Sequence, residues 1–134
     1  MRDFQKITIV CSEKPTTSNI NSKLQWFGTS LGLFTLRDKD KSYYRIFIEL
    51  IKGAKHKKRM TSDELAEQLH LSRGTVVHHL NKLIDAGIAV PLKNTYILRV
   101  DKLTELVDVL EKDILESLKD IRSIAEELDS WLGL

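Results

Sequence analysis

Between Arg73 and Lys82 the chain holds six residues suited to touching a polyanion: Arg73, Gly74, Thr75, His78, His79 and Lys82. At about 100° per residue on a helix, Thr75, His78, His79 and Lys82 gather on one side, and Val76, Val77, Leu80, Leu83 and Ile84 on the other. Such a helix keeps its apolar side in a core. Its other side offers donors, acceptors and positive charge, a match for base edges and phosphates in a DNA major groove. Thr75 and His78, near the centre of that side, are expected to reach base edges. Arg73 in the first turn reaches a base or a phosphate, and Lys82, a turn further on, a phosphate. His79 lies at the flank, where it binds phosphate or packs on the domain. Gly74 lets the backbone approach closely. A neutral His donates or accepts and a charged one binds the backbone more strongly, so affinity is expected to rise at mildly acidic pH. A second cationic group, Lys55-His-Lys-Lys-Arg59, is read as a loop. It would place Lys57, Lys58 and Arg59 against phosphates, giving affinity without sequence choice, or else serve as a solvated surface.

The surrounding pattern supplies the scaffold. Thr61 and Glu64 form a capping box for a helix whose Leu65, Ala66 and Leu69 share a face. His70-Leu71-Ser72 is a tight turn, with Leu71 plugging the angle and Ser72 capping the next helix, which spans 72–86. Gly87 suits the left-handed position after its end. An earlier helix, capped by Asp40 or Ser42 and ended by Gly53 after about Lys52, buries Tyr43, Ile46, Phe47, Leu50 and Ile51. After Gly87, Ile88-Ala-Val-Pro-Leu and Thr95-Tyr-Ile-Leu-Arg-Val100 form a hairpin, the wing at 88–100. Lys93 and Asn94 stand at its tip, with Asn94 taking the positive φ and both suited to a minor-groove or backbone contact. Pro91 puts its strand at a sheet edge or bulge. The fold class is mainly α with a small β-hairpin wing (α+β), a winged helix-turn-helix.

On either side lie two less familiar segments. Residues 1–36 form an N-terminal arm: a short strand at Lys6–Cys11, a linker at 14–23, and an aromatic stretch, Trp26-Phe-Gly-Thr-Ser-Leu-Gly-Leu-Phe34, of open secondary structure. That stretch is too apolar to stay exposed; it packs on the domain, completes a dimer interface or lines a pocket. The Arg37–Lys41 connector opens the winged domain, 37–100. Residues 101–134 form one long helix from about Lys102, capped by Asp101, roughly 45 Å in length. Val107, Ile114, Ile121 and Leu128 repeat every seven residues, and Leu110, Ile124 and Trp131 supply the second seam position, with Leu103 before them and Ser117 as a polar interruption. Such a seam prefers a partner helix, and homodimerisation would present two recognition helices about 34 Å apart to successive major grooves. Residues 1–100 carry 17 Lys+Arg and 9 Asp+Glu, a balance of +8. Residues 101–134 carry 4 and 10, a balance of −6, and the two sum to the chain's +2. A basic body with an acidic tail points to a polyanion at the body.

The stretch Leu71-Ser-Arg-Gly-Thr-Val-Val-His-His-Leu-Asn-Lys-Leu-Ile-Asp-Ala-Gly-Ile88 resembles the recognition helix of ArsR-type winged-helix transcriptional regulators, especially archaeal ones. The likeness extends roughly from Ser42 to the C-terminus and leaves out Trp26–Phe34. It implies double-stranded DNA as partner and a regulatory role. Many ArsR-type proteins sense metals through Cys or Cys/His clusters. Here Cys11 is alone, and His78 and His79 point about 100° apart, so neither a metal site nor a cofactor is expected. The lone cysteine fits a reducing cytoplasm, no apolar run approaches the ~20 residues of a membrane span, and there is no signal-peptide pattern. A glycine-rich phosphate loop and a nucleophile motif are both missing, so the chain reads as no enzyme. The expected function is sequence-specific DNA binding by a homodimeric regulator. The alternatives are a winged-helix module docking on the transcription machinery, for which Trp26, Phe27 or the tail helix would matter, and a non-specific chromatin-type DNA binder.

Overall fold

The protein's computed structural model describes residues 5–34, 38 and 40–134. The Arg37 and Lys39 positions of the charged connector, and the boundary drawn at 36–37, lie outside them. Among the described residues there are five helices and one two-stranded antiparallel hairpin: α1 (Ile20–Ser30), α2 (Ser42–His56), α3 (Ser62–Leu69), α4 (Arg73–Asp85), β1 (Ala89–Leu92), β2 (Thr95–Leu98) and α5 (Leu103–Leu132). This is a winged helix-turn-helix with a long C-terminal helix.

The core forms where the apolar faces of α2, α3 and α4 meet the base of the wing and the start of α5. Ile46, Phe47, Leu65, Val76, Leu80, Leu83, Ile88 and Leu106 are essentially sealed from solvent. Local chemistry fixes the ends of the helix-turn-helix. The Thr61 hydroxyl accepts from the Glu64 amide at 3.1 Å, and the Glu64 carboxylate accepts from the Thr61 amide at 3.3 Å, closing the expected box. His70 turns the chain with a left-handed φ of 57°, Ser72 caps α4 by accepting from the Thr75 amide at 3.1 Å, and Gly87 follows α4 at φ 78°. Arg45 ties α2 to the end of α3 by donating to the Leu69 carbonyl at 2.7 Å.

The wing pairs Ala89 with Leu98 through Leu92 with Thr95, leaving Lys93 and Asn94 as a two-residue turn. Tyr96 also bridges to Met60 on the other side of β2, so β1, with Pro91, is the outer strand. The left-handed residue at the tip is Lys93, φ 58°, and not Asn94.

Four expectations about element ends change. Asn19, inside the stretch read as linker, caps α1 by accepting from the amides of Asn21 and Ser22, so the helix starts at Ile20 and takes in Trp26 and Phe27. The cap position of α2 is Lys41, in a left-handed conformation. Asp38 does the capping from outside the helix, accepting from the Ser42 and Tyr43 amides at 3.0 and 2.9 Å. Gly53 lies within α2, which runs on through Lys55 and His56 to a left-handed Lys57; the glycine makes room for the Lys58 carbonyl, which would stand 2.7 Å from a Cβ there. Lys102, not Asp101, occupies the cap position of α5 and makes no side-chain cap.

The expected strand at Lys6–Cys11 is an extended strap. It is held by single backbone bonds, Lys6 to the Asp85 carbonyl and Val10 to the Ser30 carbonyl, both 2.8 Å. The aromatic stretch packs on the domain: Phe27 stacks on Phe47 at 6.3 Å, and Gly28 is buried where a Cβ would meet the Tyr44 ring at 2.8 Å.

Candidate nucleic-acid interface

The buried face of α4 consists of Val76, His79, Leu80 and Leu83. Its outward face carries Gly74, His78, Asn81 and Lys82, all exposed, with Thr75 half-buried at the edge. A Cβ at Gly74 would meet nothing within 4 Å, so another surface can approach the backbone there. The Thr75 hydroxyl accepts from Ser72 Oγ at 2.8 Å, which leaves its own proton free to donate outward. Arg73 is exposed and faces Asp63 on α3 across 3.3 Å, a pair loose enough to be exchanged for a phosphate. Lys82 holds its ammonium 5.7 Å above the Tyr43 ring while remaining exposed.

His79 departs from the expected exposed side. It is 8% exposed, stacks on Tyr43 with centroids 5.0 Å apart, and its Nε2 lies 2.9 Å from Ser42 Oγ. The Ser42 hydroxyl donates to Asp38 at 2.7 Å, so it accepts from His79 Nε2–H. That assigns the proton to Nε2 and leaves Nδ1 as a buried lone pair with no partner among the described residues. Burial pushes the imidazole below its ordinary range; Asp38 works the other way and His78 and Lys82 work with the burial. Burial likewise works to raise the Asp38 carboxyl, but the bonds from Ser42 and Tyr43 outweigh it and hold the group below its usual value. His79 is therefore a packing residue of the α2–α4 contact. Asn81 was missed; its signal was its place three residues after His78, on the same outward arc.

The cationic groups do not share one surface depression. Thr75, His78 and Lys82 border a groove of about 750 Å³ that Asp38 and Asp40 also line. Lys57, Lys58 and Arg59, all exposed, line a different cavity of about 450 Å³ against Met60 and Tyr96. The wing tip, Lys93 and Asn94, is exposed. Among the described residues no three His, Cys, Asp or Glu side chains gather as around a metal ion, and no helix is long and apolar enough to cross a membrane.

Along α5 the seam residues divide. Leu106 and Leu110 are buried in the chain's own core, so Leu110 leaves the set available to a partner. Ile114 is half-buried, and Val107, Ile121, Ile124, Leu128 and Trp131 are exposed, Trp131 at 88%. From Leu115 onward every residue is exposed, so the helix projects beyond its domain. The direction in which it leaves is set by Asp113, which accepts from Arg99 at 2.6 Å and Gln5 at 3.0 Å. Arg99 also reaches the Gly87 carbonyl at 3.4 Å.

No curated protein and no solved structure matches the chain. Residues 55–89 match the family model described as bacterial regulatory protein, arsR family, which spans the end of α2, the whole helix-turn-helix and the entry to the wing. Over that segment the chain is similar to the helix-turn-helix of ArsR-family regulatory proteins.

Proposed function

We propose that the protein is a homodimeric transcriptional regulator that reads double-stranded DNA by sequence, with α4 in the major groove. The observation that carries this is the outward face of α4. Gly74, Thr75, His78, Asn81 and Lys82 point away from a core that grips the opposite face, with Arg73 at the leading end. Thr75, His78 and Asn81 supply base-edge donors and acceptors; Arg73 and Lys82 supply charge for phosphates or guanine. Lys93 and Asn94 on the wing meet the flanking groove or backbone, and Lys57, Lys58 and Arg59 give a peripheral phosphate contact.

Dimerisation rests on the projecting part of α5. A single helix showing Ile121, Ile124, Leu128 and Trp131 to water is poorly stabilised alone, and a second copy of the same seam covers it. The protein is taken to act in the cytoplasm, where an exposed lone Cys11 stays reduced. The docking-module reading drew on Trp26, Phe27 or the tail helix; Trp26 and Phe27 are half-buried in α1, while the tail helix is exposed from Leu115 onward.

The test is selection of the purified protein against random duplexes at two salt concentrations. Enrichment of a palindrome with half-sites about one helical turn apart, lost in Arg73→Ala and His78→Ala, is the expected result. Salt-sensitive binding without enrichment would favour the chromatin-type reading, and no binding at low salt would end the DNA reading.

A further inference from the structure

A second cavity lies beside the recognition helix, under the N-terminal strap. It measures about 380 Å³, within the range of small-ligand pockets. Its walls are aromatic and aliphatic: Phe34, the Tyr43 ring and Val10. Two ammonium groups border it, Lys6 on the strap and Lys82 on α4. One carboxylate, Asp85, opposes them, leaving a net balance of one positive charge among the described lining residues.

The roof is lightly attached. Between its two backbone bonds, at Lys6 and Val10, the strap rests Thr8 on Gly32, where a Cβ would stand 2.7 Å from the threonine methyl. Ile7 anchors the strap on the core, so a ligand enters beside it, where among the described residues only the Val10 backbone bond and the Thr8–Gly32 contact hold the outer part.

Lys82 links this cavity to the DNA-facing groove, because it lines both. Its ammonium already hangs over Tyr43, whose ring forms part of the cavity wall. A bound anion would hold that ammonium on the cavity side.

From this geometry we propose that the cavity under the strap is an effector site for a small aromatic carboxylate. The ring would lie against Phe34 and Tyr43 and the carboxylate between Lys6 and Lys82, and occupancy would withdraw Lys82 from DNA phosphate. The ligand-binding half stands on the cavity alone; the regulatory half rests on the DNA-binding reading above.

The two halves are tested separately on the full chain. Without DNA, amide spectra are followed during titration with 2-naphthoate and with its neutral counterpart 2-naphthamide. The acid should move the resonances of Lys6–Val10, Gly32 and Ala86 and bind roughly tenfold more tightly than the amide, the scale of one charge-assisted contact. Lys6→Met should remove most of that preference. Equal binding of acid and amide, shifts confined to other parts of the chain, or no binding would overturn the site.

With a selected duplex, saturating naphthoate should weaken binding several-fold in the wild type. It should have no such effect in Val10→Trp, which fills the cavity from the strap and keeps the recognition helix intact. Unchanged DNA affinity in a protein that binds naphthoate would overturn the coupling. A protein that takes naphthoate and binds no duplex would overturn the DNA reading and leave the site standing.

Discussion

Replacing Ile121 with Asn strikes the projecting half of α5 where nothing in the chain's own domain depends on it. Ile121 is 63% exposed, and full burial of such a side chain is worth about 1.5–3 kcal/mol, so covering the remainder in a dimer contributes about 1–2 kcal/mol per copy. A two-fold interface uses the position twice, giving about 2–4 kcal/mol, or roughly a 30- to 700-fold rise in the dimer dissociation constant. Sedimentation equilibrium over a concentration series reads that constant directly. Far-ultraviolet circular dichroism should fall at the same time, because an isolated helical extension frays without a partner. Lys119→Gln, two residues away on the opposite side of the seam, should change neither quantity. The reasoning fails if Ile121→Asn leaves the dissociation constant and helicity at wild-type values. It also fails if the wild type remains monomeric at the highest concentration while α5 is fully helical.

Three further perturbations separate the remaining structural claims. Asp113→Asn should cost about 1–2 kcal/mol in urea unfolding at neutral pH, since Arg99 keeps a partly buried charge without its partner. The Arg99 hydrogen bond holds this carboxyl below its ordinary 3.8, so its contribution is complete above that value and fades as pH falls through the lower folded value; the gap between wild type and variant should close there. His79 is held below its ordinary 6.5 by burial, so its stability contribution is present above 6.5 and lost as pH drops towards the folded value. Wild type should lose urea resistance between pH 7.5 and 5 where His79→Phe does not, opposite in sign to a gain on acidification. Gly87→Ala should destabilise by about 1–3 kcal/mol, because φ is +78° and the added carbon would meet Gln5 and Arg99; an unchanged thermal midpoint would contradict the geometry.

What the sequence made legible was local. Thr61 with Glu64, Ser72 and Gly87 each act within four residues, and all three ends of the helix-turn-helix fell where their chemistry put them. The capping of α2 failed to be read because Asp38 acts from outside the cap position, across a left-handed Lys41 that no propensity favours. The α1 cap was overlooked because Asn19 sits among residues that also spell a loop. His79 is the most instructive miss. Three residues after Val76 and four before Leu83, it lies inside the buried arc, and its polar type outweighed its position. Ser42, 37 residues away, is what lets an imidazole lie there, and that pairing exists only in the fold. A seven-residue repeat likewise cannot say which neighbour a helix turns towards: Leu110 follows the same period as Ile124, yet the first meets its own core and the second meets water.

The charge asymmetry acquires a direction once α5 is seen to leave the domain. From Leu115 to the end the helix carries Glu116, Asp120, Glu126, Glu127 and Asp129 against Lys119 and Arg122, a balance of −3, and all seven are exposed. A polyanion approaching along the tail is repelled, while one approaching α4 meets Arg73 and Lys82 first. On the proposed DNA-binding reading, the acidic helix would add to specificity of approach through its field. Asp38 and Asp40, which line the groove beside α4, would do the same at short range. On the same reading they would confine favourable contact to the outward arc of the helix, the side on which Gly74, His78 and Asn81 stand. Removing positive charge from α4 and removing negative charge from the tail should therefore act on different quantities: the first on the lifetime of a complex, the second on how often an encounter begins in the wrong orientation.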